Sequence, residues 1–391
     1  DHRDLHSFPT RRSSDLKCGL KGTQNGKFGN MFDELKKCYS GKKVFLTGHT
    51  GFKGSWLLQL LTMLGAKVKG YALSPNSKDD LFNVIQGNAI CDSVIADLRD
   101  RDRLETEIGD FRPDFVFHLA AQPLVRLSYE IPSETFEVNA IGTANLLDGV
   151  RELDNKCTVV LITTDKVYQN NEWEYPYREN DRLGGYDPYS ASKACTELVI
   201  NSYIQSFFNG AQYKLHLKDI SVVRAGNVIG GGDWSKDRLI PDIARALSEK
   251  KEIIIRNPTA IRPWQHVLEP IVAYLILGAK QDESPQKFNG AYNIGPNAKD
   301  SLSVKEMLEL SIKSWGEGSF RVETGVNQPH EAGLLKLDIS KISNKLDWQP
   351  KWDASLAVEN TMLWYKTFAT QGHNAAKELM HKQIFDYLNR F

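Results

Sequence analysis

The feature of this sequence that most restricts its fold is a series of short, almost wholly apolar runs separated by helical patterns. The helical patterns include Trp56–Leu64, Arg101–Ile108, Thr135–Leu153 and Pro188–Phe208. The apolar runs are Lys43–Thr47, Val68–Leu73, Val94–Ala96, Phe115–Ala120, Thr158–Thr163 and Ile220–Arg224. Because a strand that is apolar throughout has to be covered on both faces, this alternation predicts an α/β fold with a doubly wound parallel sheet of the Rossmann type.

The pattern changes after residue 225, where a Gly-rich stretch spans Gly226–Trp234. The elements expected beyond it are helices at Pro241–Lys250, Ser303–Trp315, Leu356–Phe368 and Ala375–Leu388, and strands at Glu252–Ile255 and Tyr292–Ile294. Ser303 is the expected N-cap of its helix. We therefore predict a dinucleotide-binding domain at 42–225 and a smaller substrate-binding lobe at 226–391, interleaved with the first domain.

Residues 1–30 differ from the rest of the chain. The first sixteen, DHRDLHSFPTRRSSDL, show no periodicity, and residues 17–30 are rich in Gly and Lys. We expect residues 1–30 to be a non-native or disordered leader, with a flexible native tail as the alternative, and Met31 to be a natural start.

Charge and cysteine content restrict the partners. Lys and Arg together number 49, as do Asp and Glu, so the formal net charge is zero. This balance does not indicate the strongly basic face that is typical of nucleic-acid binding. The five cysteines are scattered without a CxxC pair, so we expect no disulfide framework and no metal site. No apolar run approaches the roughly 20 residues that cross a bilayer, and we expect a cytoplasmic protein without a membrane partner.

A glycine triplet lies where the first strand meets the first helix, in the segment GHTGFKG at residues 48–54. Glycines let the backbone turn sharply and approach a pyrophosphate, and the helix beyond offers free N–H groups and the positive end of its dipole. We therefore expect Gly48, Gly51, Phe52 and Gly54 to bind a dinucleotide. The alternative is a tight turn without a ligand.

The second strand does not decide which dinucleotide binds. The acidic residue that usually contacts the ribose of NAD is missing after Val68–Leu73, and no Arg stands there for the extra phosphate of NADP. Ser74 is the nearest hydroxyl for a ribose. The residues alone thus favour NAD only weakly over NADP.

Residues after the third and fourth strands extend the predicted cofactor site. Asp97, which is followed by Leu98, is placed to accept from an adenine amino group, and the alternative for it is to cap the next helix. Ala120, Ala121 and Gln122 follow the fourth strand, where small residues let a cofactor lie across the sheet edge.

Tyr189 and Lys193 are four residues apart in the pentapeptide YSASK. On a helix they share a face, and an ammonium close to a phenol favours the phenolate and lowers a pKa that is normally near 10. Tyr189 is therefore a candidate acid and base at neutral pH, and both residues are also expected to contact the cofactor. The alternative is an ordinary surface pair.

Three polar residues follow the fifth strand and are expected at the same sheet edge. Thr164 is placed to bind a substrate oxygen beside Tyr189, Asp165 is a candidate proton donor, and Lys166 is a second polar group. The alternative is a strand-end turn with solvated charges.

The motifs TGHTGFKG, DLRD, LAAQP, TTDKVY and YSASK, in this order, resemble the extended short-chain dehydrogenase/reductase family of nucleotide-sugar enzymes. The segments RAGNVIGGGDWSKDRLIPD and IRPWQHVLEP closely resemble the CDP-glucose 4,6-dehydratases within that family. The resemblance runs from about Lys42 to the C-terminal helices. It implies NAD as the cofactor, a nucleotide sugar as the substrate and, by analogy, a homo-oligomer.

The resemblance also implies a reaction. Tyr189, assisted by Lys193 and Thr164, would remove the proton of the sugar 4-hydroxyl while a hydride passes from C4 to NAD⁺. Water would then leave across C5–C6, with Asp165 protonating the 6-hydroxyl, and the hydride would return to C6. Related thymidine-linked enzymes carry Glu where this chain has Lys166, so the base for the C5 proton stays open.

Asn227, Arg238 and Arg262 are candidates for the pyrophosphate of the substrate, because Arg offers a bidentate fork to phosphate oxygens. Salt bridges between the lobes are the alternative for the two arginines. Two other functions are also open: a related epimerase or reductase, and a dinucleotide-binding sensor without catalysis. Asp165 argues against the first, and the complete set of Thr164, Tyr189 and Lys193 argues against the second.

Overall fold

A computed structural model describes residues 31–236, 238–255, 257–297, 300–323 and 335–389, so the predicted leader at 1–30 lies outside the described residues. The strands are β1 (Lys43–Thr47), β2 (Lys67–Ala72), β3 (Asp92–Ile95), β4 (Phe115–His118), β5 (Cys157–Ile162), β6 (Lys218–Ala225), β7 (Asn227–Ile229), β8 (Ile253–Ile255), β9 (Ile261–His266), β10 (Gly290–Ile294), β11 (Ser301–Ser303) and β12 (Phe320–Val322). The helices are α1 (Met31–Tyr39), α2 (Phe52–Met63), α3 (Leu81–Val84), α4 (Arg101–Phe111), α5 (Val125–Glu130), α6 (Pro132–Phe136), α7 (Gly142–Arg151), α8 (Pro188–Ser206), α9 (Tyr213–His216), α10 (Leu239–Ser248), α11 (Leu268–Glu283), α12 (Val304–Trp315), α13 (Ser340–Leu346) and α14 (Ala354–Leu388).

The main sheet has seven strands in the order β10-β6-β5-β4-β1-β2-β3, and every neighbouring pair is parallel. The predicted doubly wound parallel sheet is therefore confirmed. The chain moves outward from β1 to β3 and then returns to β4 on the other side of β1. Such a reversal leaves a crevice at the carboxyl ends of the strands, where ligands of open α/β sheets bind.

Successive side chains of β1 enter different cores, because neighbouring residues of a strand point to opposite faces. Val44 and Leu46 belong to a large buried cluster that also contains Trp56 of α2. Phe45 belongs to a second cluster, which includes Leu146 of α7. The sheet is thus covered on both faces.

The C-terminal half contributes both to the main sheet and to separate small sheets. β10 pairs with β6 at one edge of the main sheet, whereas β11-β9-β7 and β12-β8 form sheets of three and two strands. The division into domains at 42–225 and 226–391 stays a prediction. No helix in the described ranges is both long enough and apolar enough to cross a membrane.

Two of the long helical segments are not uniform along their length. The helix expected at Thr135–Leu153 is present as an unbroken run of α6, a π-helical turn at Glu137–Ile141 and α7, which ends at Arg151. Within that turn the carbonyl of Asn139 accepts from the hydroxyls of Thr143 and Thr196, at 2.7 and 2.9 Å. The two predicted C-terminal helices lie on either side of Gly372, whose φ of 81° interrupts α14.

Candidate active site

A cavity of about 1530 Å³ opens at the carboxyl edge of the main sheet. Its wall is formed by the first turn of α2, the segments after β4, β5 and β6, and the N-terminal parts of α8 and α10. Thr164, Asp165, Lys166, Tyr189 and Lys193 all line it, so the structure brings together the five residues predicted for catalysis.

The glycine loop at one end of the crevice is packed too closely for side chains. Gly48 has a φ of +74°, and a Cβ there would lie 2.8 Å from the backbone nitrogen of Ala120. A Cβ on Gly54 would lie 1.9 Å from the carbonyl oxygen of Gly48. Gly51 is the N-cap of α2 and has no side chain to cap it, and Phe52 lines the cavity. This cradle fits the pyrophosphate of a dinucleotide.

The positions of the residues after β2 and β3 give less support to the predicted contacts with the cofactor. Ser74 is exposed just beyond the end of β2. The Asp97 carboxylate accepts from the backbone and guanidinium of Arg99, which lowers the pKa of Asp97. The helix-capping alternative for Asp97 is wrong, because Asp100 accepts from Arg103 and caps α4. The Leu98 side chain is buried.

The segment after β4 is fixed by hydrogen bonds to its surroundings. The backbone nitrogen of Ala120 donates to the hydroxyl of Thr47 at 3.1 Å, and that of Gln122 donates to the Asn139 side chain at 2.8 Å. Ala121 lines the cavity. The Gln122 amide bonds to Leu124 of its own loop and donates to the Thr135 hydroxyl of α6, so this side chain fixes the loop.

Tyr189 and Lys193 lie in the first turns of α8. This helix begins where Asp187 accepts from the backbone nitrogen of Ser190 at 2.9 Å and where Pro188 occupies the first turn. Both side chains are buried, 9% and 4% exposed respectively. The Lys193 ammonium donates to the carbonyl of Ile162 at the end of β5, at 3.2 Å.

Burial dominates the ionisation of both groups. It raises the pKa of the Tyr189 phenol, although Lys166, the Thr164 hydroxyl and Arg238 act in the opposite direction. The expectation that Lys193 would set a low pKa for Tyr189 is therefore wrong for the protein alone. Burial lowers the pKa of Lys193 to about 8, against the attraction of Glu197. A pKa near 8 leaves Lys193 about nine-tenths protonated at pH 7.

The end of β5 forms a chain of polar groups toward Tyr189. The Thr164 hydroxyl lies close enough to the phenol to lower the pKa of Tyr189, and it donates to the Asp165 carboxylate at 2.9 Å. The Lys166 ammonium lies 3.4 Å from the same carboxylate oxygen. Asp165 is only 3% exposed, so its contacts are made away from bulk water.

A buried ion pair between Glu197 and Arg224 lies next to these polar groups, and the sequence did not predict it. Glu197 lies one helical turn after Lys193, and its carboxylate accepts from the Thr163 hydroxyl at 2.7 Å and from Arg224 of β6. Arg224 also donates to the hydroxyl of Tyr168 at 2.8 Å. The spacing of Tyr189, Lys193 and Glu197 along one helix face was the available signal.

The residues predicted to bind the substrate pyrophosphate lie on the opposite wall. Asn227 begins β7, and Arg238 is the N-cap residue of α10; both line the cavity. Arg238 forms an ion pair with Asp233 at 2.8 Å, which is a local pair and leaves its guanidinium part of the cavity wall. Arg262 lies in β9, but its side chain lies outside the described part of the structure.

Among the described residues, no group of three or more His, Cys, Asp or Glu side chains is arranged to hold a metal ion. His118, which the sequence places inside β4, bonds to Thr47 and Thr143 at 2.7 and 3.0 Å. It is therefore a buried structural histidine and lies outside the set of catalytic groups.

The sequence profile of the GDP-mannose 4,6 dehydratase family matches residues 45–361. The chain belongs to this family. It is also 48% identical over 333 residues to a CDP-glucose 4,6-dehydratase of Salmonella typhimurium, a match that covers 85% of this chain and 93% of the relative. The resemblance predicted from the motifs is thereby confirmed. A CDP-paratose 2-epimerase of Salmonella typhi is 27% identical over 82% of this chain and 98% of that protein.

Solved structures of nucleotide-sugar enzymes share the family fold. A UDP-glucose 4-epimerase from Thermotoga maritima superposes with a TM-score of 0.71 at 21% identity, covering 83% of this chain and 99% of that one. A dTDP-glucose 4,6-dehydratase from Bacillus anthracis, in complex with NAD, gives 0.68 at 23% identity, covering 84% and 97%. These likenesses show that the chain has the Rossmann dinucleotide fold of both structures.

Proposed function

We propose that this chain is an NAD-dependent CDP-glucose 4,6-dehydratase, which converts CDP-glucose to CDP-4-keto-6-deoxyglucose and water. The observation that carries the proposal is the convergence of Thr164, Asp165, Tyr189 and Lys193 on one cavity beside the glycine loop. The relative from Salmonella typhimurium with 48% identity supports the choice of substrate. NAD, when bound, accepts the C4 hydride and returns it to C6, so the sugar is dehydrated without net oxidation.

The cofactor is held by the loop of Gly48, Gly51 and Gly54 and by the start of α2. Tyr189 then takes the proton of the sugar 4-hydroxyl, assisted by Lys193 one helical turn further along α8. Thr164, which lies beside the phenol, orients the same hydroxyl. These three residues are assigned to the first half of the reaction.

The second half removes the 6-hydroxyl as water. Asp165 delivers the proton to this leaving group, and the hydroxyl of Thr164 joins Asp165 to Tyr189. Thr164 therefore lies between the phenol that takes the 4-hydroxyl proton and the acid that needs a proton. The 4-keto group makes the C5 hydrogen acidic, and loss of that proton and of water completes the elimination.

Lys166 is the nearest candidate for the base that removes the C5 proton, and this assignment stays a prediction. Its ammonium lies 3.4 Å from Asp165, and an ammonium has to lose a proton before it acts as a base. Lys166 would therefore act as a neutral amine, and the proton that it takes from C5 would return to C5 when the hydride adds at C6.

Asn227, Arg238 and Arg262 are proposed to bind the pyrophosphate of the nucleotide sugar. We also propose that the enzyme works as a homo-oligomer in the cytoplasm. Four cysteines within the described ranges, Cys38, Cys91, Cys157 and Cys195, are free thiols, which fits a reducing compartment.

Incubation with CDP-glucose and NAD⁺, followed by mass spectrometry of the nucleotide sugar, tests the function. A product lighter by one water supports the dehydratase. An isomer of unchanged mass indicates the epimerase, and unchanged CDP-glucose indicates the non-catalytic sensor. GDP-mannose, UDP-glucose and dTDP-glucose in parallel reactions decide the nucleotide, and turnover of one of them in place of CDP-glucose contradicts the proposed substrate.

The variant Asp165→Asn tests the role of the proposed acid. We expect dehydration to fall about 100-fold or more, within the range typical of general acid catalysis, while reduced nicotinamide still forms on addition of CDP-glucose. Asp154→Asn is the matched control, because Asp154 is exposed and lies just before β5, at the end of the strand away from the cavity. Equal retention of both steps in Asp165→Asn contradicts the assignment.

A further inference from the structure

Lys53 is a charged group of the cavity that the proposed mechanism does not use. It is the second residue of α2, and its side chain lines the cavity. Its ammonium donates to the hydroxyl of Tyr274 in α11 at 3.5 Å, the outer limit of a hydrogen bond. Among the described residues, no carboxylate forms an ion pair with Lys53.

The charges around Lys53 are mostly of its own sign. Burial, together with the weaker effects of the cations Arg238, Lys193 and Lys166, lowers the pKa of its ammonium to about 8, and Asp165 acts in the opposite direction. Part of the side chain reaches the cavity surface, so burial of the ammonium coexists with access to a ligand. Cations that converge in a cavity repel one another unless an anion enters between them.

Two helix N-termini also lie at this part of the cavity. Lys53 lies in the first turn of α2, which has 12 residues, and Arg238 is the N-cap residue of α10, which has 10. Each helix presents the positive end of its dipole there. A ligand with two adjacent phosphates matches two cations and two helix N-termini better than a single carboxylate does.

We propose that Lys53 and Arg238 together bind a pyrophosphate group in this cavity, and that the charge of Lys53 is required for tight binding. The ligand class rests on the function proposed above, which supplies two sources of that group: NAD and the nucleotide sugar. Asp233 partly neutralises Arg238, at 2.8 Å, so Lys53 carries the uncompensated charge.

Isothermal titration of the full chain with NAD⁺ and, separately, with CDP tests the proposal and distinguishes the two sources. The variants are Lys53→Met, which removes the charge, and Lys53→Gln, which keeps a hydrogen-bond donor. Because a hydrogen bond to a charged group is worth more than a neutral one, both should weaken one of the two ligands by roughly 10-fold to 100-fold. The weakened ligand identifies the source of the pyrophosphate.

Lys67→Met is the matched control, because Lys67 is exposed at the amino end of β2, whereas the cavity lies at the carboxyl ends of the strands. It removes an equal charge and should change both affinities less than twofold. In the wild type, a bound pyrophosphate keeps Lys53 protonated, so raising the pH from 7 to 9 should weaken binding by roughly tenfold through this residue. Lys193 also has a pKa of about 8, so its deprotonation contributes to the loss of affinity between pH 7 and pH 9. This contribution should remain in Lys53→Met.

Unchanged affinity for NAD⁺ and for CDP in both Lys53 variants overturns the proposal, even where the wild type dehydrates CDP-glucose. An equal weakening in Lys67→Met also overturns it, because a general charge effect then explains the loss. A wild type that binds with the expected dependence on Lys53 and yet dehydrates nothing leaves the pyrophosphate site standing and contradicts the proposed function.

Discussion

The buried pair of Glu197 and Arg224 allows a quantitative prediction for Glu197→Gln. The two side chains are 4% and 5% exposed. Nε of Arg224 donates to Oε1 of Glu197 at 2.8 Å and to Oε2 at 3.0 Å. The amide keeps the shape of the carboxylate and removes its charge, so Arg224 stays buried without a counter-charge. Removal of one partner from a buried pair costs about 3–5 kcal/mol of unfolding free energy.

This cost converts to a melting temperature. A chain of 391 residues, at about 2.1 cal/mol/K per residue, has an unfolding entropy of roughly 0.8 kcal/mol/K. Glu197→Gln should therefore lower the Tm in scanning calorimetry by about 4–6 °C. It should also lower kcat for dehydration, because the Thr163 hydroxyl, which donates to Glu197 at 2.7 Å, fixes the strand end before Thr164.

The double variant Glu197→Gln/Arg224→Met separates the loss of the pair from the unpaired charge. Removing both charges should recover most of the lost stability, since replacement of a buried pair by apolar groups is often neutral or stabilising. Glu359→Gln, at an exposed position of α14, is the control and should leave the Tm unchanged. A Tm of Glu197→Gln within 1 °C of the wild type, or a double variant no more stable than the single one, refutes the reasoning.

Two further substitutions test the glycine loop and the role of Lys193 in α8. Gly54→Ala places a methyl group 1.9 Å from the Gly48 carbonyl oxygen, so calorimetric affinity for NAD⁺ should fall at least roughly tenfold; an unchanged affinity contradicts the cradle. Lys193→Met should abolish dehydration yet raise stability by about 3 kcal/mol at pH 7, because burial lowers the pKa of Lys193 from 10.5 to about 8. Since the folded state then binds fewer protons than the unfolded state, wild-type stability should rise from pH 8 to 10.5, and thermal melts of Lys193→Met should show a smaller rise. An equal rise in both proteins is the contrary result.

The sheet, and the position of the candidate catalytic residues at one cavity, were predictable because their signals are local. Each apolar run marks a strand, and parallel strands bring the residues after them to one edge, which is how Thr164 and the glycine loop came to share a cavity. Tyr189 and Lys193 needed only the helical spacing. The capping box of Ser303 with Glu306 was equally local, and the structure confirms Ser303 as the N-cap of α12.

The missed features depend on contacts between distant segments. The environment of Lys53 is set by Tyr274, 221 residues away, and the partner of Glu197 comes from β6. The pKa of Tyr189 was misjudged for a related reason. Spacing in the sequence shows which charges are near, but the degree of burial, which here has the larger effect, depends on the whole fold.

The position of β10 in the main sheet has a consequence for synthesis of the chain. β6 is buried along its whole length and pairs with β10, yet 64 residues lie between Ala225 and Gly290. At about 5–20 residues per second, a ribosome needs roughly 3–13 s to make them. During that interval the nascent sheet has an unpaired apolar edge, which other chains can join. Newly made protein can therefore associate with other chains through β6 until β10 has been translated.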